Sequence, residues 1–218
     1  GNLTGFGNDF VAYGKLKTRL GTLNSDVLLK QDHDEGMLAY KGRLSTQQFD
    51  VGTFLGIDSI GRISLNATLD GKGLTIETMD AHLEGKMDQA EFLGYNYQDI
   101  ALNGHLRHKR FEGDLSINDP NLDMGFAGVV DLSGDIPYFN FRSTVQKANL
   151  HQIHVLKDRP DATIRGDLVF NFVGKDIDGL VGEIDIYNLR YSEPGLPFHV
   201  GDAHLEVNED GISKHLVV

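Results

Sequence analysis

The stretch "YNYQDIALNGHLRHKRFEGDLSI", Tyr95 to Ile117, decides how this chain is read. Every second residue gives Ile100, Leu102, Gly104 and Leu106, then, beyond "RHKR", Phe111, Gly113, Leu115 and Ile117. Between them stand Ala101, Asn103, His105 and Arg107, then Glu112, Asp114 and Ser116. Successive side chains of a β-strand point to opposite sides, so this alternation reads as two strands with one apolar and one polar face. "RHKR" reads as the turn between them. Each arm places a glycine on its apolar face, where a core side chain is expected.

The pattern recurs along the chain. Ala12, Gly14, Leu16, Thr18 and Leu20 share one face, with Tyr13, Lys15, Lys17 and Arg19 opposite. "SDVLLKQDHDEGMLAYKGRL" reads as a hairpin turning at Asp32 to Gly36. Ile63, Leu65, Ala67 and Leu69 alternate with polar residues before "DGKG", and Leu83 sits in "LEG". Leu122, Met124, Phe126, Gly128, Val130 and Leu132 form the longest stripe. Leu168, Phe170 and Phe172 follow, then Gly182, Ile184 and Ile186, then Ala203, Leu205 and Val207. Turn chemistry separates the runs in "NDPN", "DLSGD", "GKDIDG", "SEPGLP" and "NEDG". The expectation is an all-β antiparallel fold of about twelve to fifteen strands.

Two places break the alternation. "QQFDVGTFLGI" and "QKANLHQIHVLK" have helical spacing, with Val51, Phe54 and Leu55 in the first and Leu150, Ile153 and Leu156 in the second. Asp50 and Asn149 are suited to cap their N-termini. Two short amphipathic helices of about two turns are predicted here. The two places also align: Gln47, Asp50, Val51 and Phe54 match Gln146, Asn149, Leu150 and Ile153 at a constant offset of 99. With a gap, Gly61, Ile63 and Leu65 fall on Gly166, Leu168 and Phe170, and Tyr95 and Asp99 on Phe198 and Asp202. This reads as one elongated β-domain over residues 1–218 with internal repeats near 37–137 and 138–218. The opening "GNLTGFGNDF" already reads as the inside of a domain, so a segment of a longer protein is expected.

Composition narrows the function. The 218 residues hold 26 glycines, against about 15 at ordinary usage, and only 5 prolines, which suits a sheet with many turns better than a linker. A formal charge of -12 repels phosphate backbones and anionic lipid headgroups, and Arg107 to Arg110 is the only basic cluster. Nucleic acid is therefore not an expected partner. Without cysteine there is no thiolate nucleophile, zinc–thiolate site or disulfide framework. The pairs His105/His108 and His151/His154 lack the spacing and further ligands of a zinc site. "DHDEG" and "NEDG" lack the register of a calcium loop. No phosphate loop, nucleophile elbow or carboxylate pair stands out. A non-enzymatic chain without a cofactor is expected.

The apolar face has two possible uses. A sandwich would bury it against a second sheet about 10 Å away, whereas an open, curled sheet would leave a groove lined by it. Alternation alone does not separate these. Glycine in a strand marks bends, bulges or close backbone approach, and deliberate sheet curvature uses glycine kinks. Gly14, Gly42, Gly85, Gly104, Gly113, Gly128 and Gly182 form such a series and favour curling.

"AYKGRLSTQQFDVGTFLG", Ala39 to Gly56, resembles the characteristic segment of AsmA-like proteins, the family that includes TamB. There a strand carrying G-x-L runs into an F-D-x-G-x-L-L helix; this chain has Phe49, Asp50, Gly52 and Leu55, with Phe54 in place of the first leucine. "YNYQDIALNG", "FEGDLSI" and "DLSG" extend the similarity over roughly residues 10 to 210. The resemblance implies a β-taco, a half-pipe with a hydrophobic lining, in the periplasmic part of an inner-membrane-anchored protein serving outer-membrane biogenesis. It further implies phospholipid acyl chains as cargo and an Omp85-type barrel as partner through regions outside this chain. The lining would be Ile63, Leu65, Leu83, Ile100, Leu102 and Leu106, then Phe111, Leu115, Ile117, Leu122, Met124, Phe126 and Val130, then Leu168, Phe170, Ile184 and Ile186. The competing expectation is a β-sandwich adhesion or carbohydrate-binding module, although the chain has no tryptophan platform.

Overall fold

The computed structural model describes residues 2–6, 9–31, 37–55, 60–174, 181–194, 198–199, 201–208 and 211–213. The chain forms two compact units, Gly1–Lys109 and Arg110–Val218. The first contains β1 (Asn2–Phe6), β2 (Asp9–Thr18), β3 (Gly21–Gln31), β4 (Leu38–Gln47), β5 (Phe49–Asp50), helix α1 (Val51–Leu55), β6 (Ile60–Lys72), β7 (Asp80–Phe92) and β8 (Tyr95–Arg107). The second contains β9 (Arg110–Asp119), β10 (Leu122–Asp131), β11 (Tyr138–Asn149), β12 (Thr163–Val173), β13 (Val181–Ser192), β14 (Phe198–His199), β15 (Ala203–Asn208) and β16 (Gly211–Ser213). The fold is all-β, and every pairing in both units is antiparallel.

Each unit is a meander in which strands pair with their sequence neighbours. Only the two-residue β5 and β14 lie off that path, paired with β6 and β13. Among the described residues no pairing returns from β8 to β1, or from β16 to β9, so neither sheet closes on itself. Several turns are built from the residues that turn geometry demands. Phe92 pairs with Tyr95 across Leu93 and Gly94, whose φ angles of 49° and 76° are those of a primed turn matching the strand twist. At "NDPN" the Asn121 N–H donates to Asp119 Oδ1 at 2.8 Å, a local side-chain bond that fixes the reversal. In "RHKR", His108 and Lys109 have φ of 48° and 68°. The predicted turn at Asp32 to Gly36, all of "GKDIDG" but its first residue, and parts of "SEPGLP" and "NEDG" lie outside the described residues.

The two predicted helices come out differently. Helix α1 forms, but it spans only Val51–Leu55, and Asp50 caps it as expected: Oδ1 accepts the Thr53 N–H at 2.9 Å. The second is not a helix. Asn149 does accept the Gln152 N–H on its side-chain oxygen at 3.2 Å, yet one turn later His154 adopts φ 65°. The Val155 N–H then bonds Leu150 O and the His154 N–H bonds His151 O, a closing pattern that ends helices. Of the residues with that spacing Leu150 and Ile153 are buried, at 9% and 6% exposure, whereas Leu156 is exposed. A single capped turn satisfies that burial without a second one. In each unit the N–H of the capping residue also reaches back to an earlier turn, Asp50 to Leu20 O and Asn149 to Asn121 O.

Glycine on the apolar face has a steric cause at the positions where it is most demanding. Gly42 and Gly128 have φ of 155° and 151°, a region that L residues rarely enter. A Cβ on Gly128 would run into Asn140 O and stand 2.7 Å from Phe141 Cβ, both on the adjacent β11. Register shifts at Asp123/Met124, between Val145 and Ala148, and between Arg165 and Asp167 mark irregularities of the kind that bend a strand locally. Gly125, on the opposite face of β10, would meet nothing within 4 Å. Gly128→Ala is therefore expected to cost roughly 1–3 kcal/mol in urea unfolding, whereas Gly125→Ala stays within about 0.5 kcal/mol or gains slightly. Equal effects would remove the steric account.

Candidate apolar binding face

Cross-strand partners stand on the same face, so the register shows which side chains meet. In the second unit one row runs Phe111, Val130, Phe139, Phe172, Gly182, Val207. The next runs Gly113, Gly128, Phe141, Phe170, Ile184, Leu205, and the third Leu115, Phe126, Ser143, Leu168, Ile186, Ala203. Ile117 pairs with Met124, and Leu122 with Asp119. In the first unit the rows include Ala12, Val27, Gly42, Leu69, Leu83, Gly104 and, beside it, Gly14, Ser25, Leu44, Ala67, Gly85, Leu102. Leu65, Met87 and Ile100 form another, as do Ala81 with Leu106 and Ile63 with Ala90. All seventeen expected lining residues thus fall on the glycine-bearing face of their own unit.

That face is neither sealed nor bare. Ile100 and Leu122 are buried, at 4% and 6% exposure. The other fifteen are half-buried while their strand neighbours are mostly exposed. Among the described residues no large side chain is fully buried, and the tightest positions are Ala162, Ala81 and Ala148. The face packs on itself. In the first unit Val27, Tyr40 and Ala81 form a small cluster flanked by Leu29, Leu69, Met79 and Leu83. In the second, phenylalanines do the same work: Phe141 lies 4.7 Å from Phe126 and 4.5 Å from Phe170, and Phe139 stacks on Phe172 at 4.9 Å, all ring centroids.

Phe139 and Phe141 were missed in the sequence. Their strand alternates Phe139, Phe141, Ser143, Val145, but the serine breaks the apolar run just before the helix-like stretch. Ser143 is itself informative. It is 4% exposed, and among the described residues its hydroxyl has no hydrogen-bond partner, between Phe126 and Leu168. An unsatisfied buried hydroxyl costs free energy that a methyl does not.

The polar faces carry most of the ion pairs. Asp80 accepts from His105 Nε2 at 2.6 Å, and this bond, with Arg107 and Lys72 nearby, holds its carboxyl below the usual carboxylate range against a desolvation cost. The residues of the "HLRH" pair are thus spent differently, His105 on Asp80 and His108 in a turn. His151 Nδ1 lies 3.2 Å from Leu156 O. His204 Nδ1 lies 2.6 Å from Asp185 Oδ1 across the β13–β15 pairing. That hydrogen bond raises the His204 pKa above the ordinary imidazole value, with Glu183 and Glu206 adding to it against desolvation.

Two outcomes follow from these groups. Ser143→Ala is expected to raise stability in urea unfolding by about 1 kcal/mol, and a loss of similar size would mean the hydroxyl is satisfied in solution. The His204 contribution is complete below its unfolded pKa of about 6.5 and is lost as pH rises through the raised folded value. Amide-exchange protection of Ala203–Val207, corrected for intrinsic rates, should therefore fall as pH rises above about 6.5, and Asp185→Asn should abolish that fall. An unchanged pH profile in the variant would assign the effect elsewhere.

No protein-family model, curated protein or solved structure matches this chain, so its site is read from its own residues.

Proposed function

We propose that this chain is a segment of an AsmA/TamB-like cell-envelope protein whose apolar face binds phospholipid acyl chains. In this reading the sheet is an elongated half-pipe in the periplasm, held by an inner-membrane anchor outside the chain. It conducts acyl chains toward the outer membrane for its biogenesis, with an Omp85-type barrel engaged by other regions. One observation carries the proposal: fifteen apolar side chains at the expected lining positions stay half-buried instead of being sealed by a second layer. Such a face gains about 0.8 kcal/mol for each methylene it covers. An aliphatic and phenylalanine lining makes no demand on headgroup chemistry, which suits sliding rather than fixed binding.

The test uses the purified chain, with a photo-crosslinking residue at Ile184 and phospholipid vesicles as the lipid source. Saturable crosslinking to phospholipid is expected. Leu115→Asp and Phe126→Asp should each reduce it at least tenfold, because a carboxylate in the lining costs several kcal/mol of transfer free energy. Both variants should keep the β circular-dichroism signal. Absence of lipid crosslinking, or collapse of the fold in both variants, would make the face a plain core and remove the proposal.

A further inference from the structure

The opposite face of the first unit carries a groove that the acyl-chain reading does not use. A cavity of about 550 Å³ crosses β2, β3, β4, β6 and β7. Its walls are two ladders of polar side chains: Tyr13, Asp26, Arg43, Thr68 and Glu84 on one side, and Lys15, Asn24, Ser45 and Asn66 on the other. Its floor is the backbone of the row between them, Gly14, Ser25, Leu44 and Ala67, whose side chains belong to the apolar face. Five strands at ~4.8 Å spacing make the groove roughly 19 Å long, perpendicular to the strands.

Three features define what fits. First, much of the hydrogen-bonding capacity is unspent, although Asn24 Nδ2 donates to Ser45 Oγ and Thr68 Oγ1 to Glu84 O, each at 3.2 Å. Asp26 and Arg43 are direct cross-strand partners of opposite charge, yet no ion pair forms between them. Among the described residues, the side chains of Tyr13, Lys15, Asp26, Arg43, Asn66 and Glu84 form no hydrogen bond or ion pair. On the same face Lys41 and Asp70 do pair, at 2.6 Å, so pairing is sterically available there and not taken in the groove. Second, the charges balance: Lys15 and Arg43 against Asp26 and Glu84. A polyanion or polycation would meet as much repulsion as attraction. Third, Tyr13 is 64% exposed at one end, an aromatic plate open to stacking.

We propose that this groove binds an uncharged oligosaccharide. Every sugar hydroxyl both donates and accepts, which matches the Asp26 acceptor, Arg43 donor and Glu84 acceptor of one wall and the Lys15 donor and Asn66 amide of the other. Paired oxygens of Asp26 and Glu84 and the fork of Arg43 take adjacent hydroxyls in bidentate fashion. Tyr13 stacks on the apolar face of a terminal ring. The extended shape admits a chain several rings long rather than a monosaccharide.

The test is a titration of the whole chain with cellohexaose, chitohexaose and maltohexaose, followed by backbone amide shifts. Saturable shifts confined to the strands around Gly14, Ser25, Leu44 and Ala67 are expected with at least one of them. Arg43→Ala and Asn66→Ala should each weaken that binding about tenfold, and Tyr13→Ala comparably. All three residues are exposed, so thermal unfolding should be unchanged in each. Phe126→Asp, on the other face and in the other unit, should leave sugar binding intact while lipid crosslinking is lost. No saturable shift with any of the three sugars overturns the proposal. So does binding that survives all three groove variants, or shifts produced instead by inorganic phosphate.

Discussion

The constraint on which the rest depends is the close approach of neighbouring strands at glycine. In several rows of the apolar face a glycine stands next to something large: Gly42 between Val27 and Leu69, Gly85 beside Leu102, and Gly182 between Phe172 and Val207. Gly113 and Gly128 face each other, with Phe141 beyond. A Cβ at Gly85 or Gly182 would stand within 2.8 Å of the Cβ of the next strand, a separation that only bending or loss of pairing could relieve. A bare position gives the neighbouring ring or branched chain room to lean across. A single-layer face thereby covers part of its own apolar area without a partner sheet. The glycines cost backbone entropy in every unfolded-to-folded transition, and the leaning side chains repay it through burial.

Much of this was legible in the sequence. The two-residue period placed all seventeen of these apolar positions on one face of their unit because register follows from alternation: a one-residue slip would send the whole set to solvent. Capping was legible too, in Asp50 and Asn149, since a side-chain oxygen bonded to an N–H two or three residues on is a local matter. What was not legible is non-local. Whether Asn149 starts a helix or a single turn depends on His154 taking a left-handed conformation, which no propensity of histidine dictates. Phe141 was lost because Ser143 interrupts its strand, and only the pairing with Phe126 and Phe170 shows that the serine sits inside the aromatic rows. The polar groove could not be read at all. It depends on Arg43 and Asp26 being opposite each other and still unpaired, and sequence spacing says nothing of that.

The two faces divide the chemistry along each strand. On β4, Leu44 belongs to the apolar row while Arg43 and Ser45 wall the groove; on β6, Ala67 stands between Asn66 and Thr68 in the same way. The shared row, Gly14, Ser25, Leu44 and Ala67, gives its side chains to the apolar face and its backbone to the floor of the groove. A substitution in the row would therefore act on both faces, whereas one in a ladder acts on one.

The joint between sheet and cap recurs in both units in a form that explains its residue types. Asp50 donates its N–H to Leu20 O, in the turn before β3, and its carboxylate accepts from Thr53 in α1. Asn149 donates its N–H to Asn121 O, in the turn before β10, and its side-chain oxygen accepts from Gln152. In each case one residue ties the end of a strand to a turn two strands back and caps the turn that follows. The residue must keep a free N–H, which bars proline, and carry a short acceptor, which leaves aspartate, asparagine, serine or threonine. The acceptor is charged in the first unit and neutral in the second. Thr53 accounts for part of that choice: its backbone N–H first, and then its hydroxyl in a second bond at 2.9 Å, hold the Asp50 carboxyl below the usual carboxylate range. At the second joint Gln152 supplies its backbone N–H, and an amide oxygen is enough to accept it.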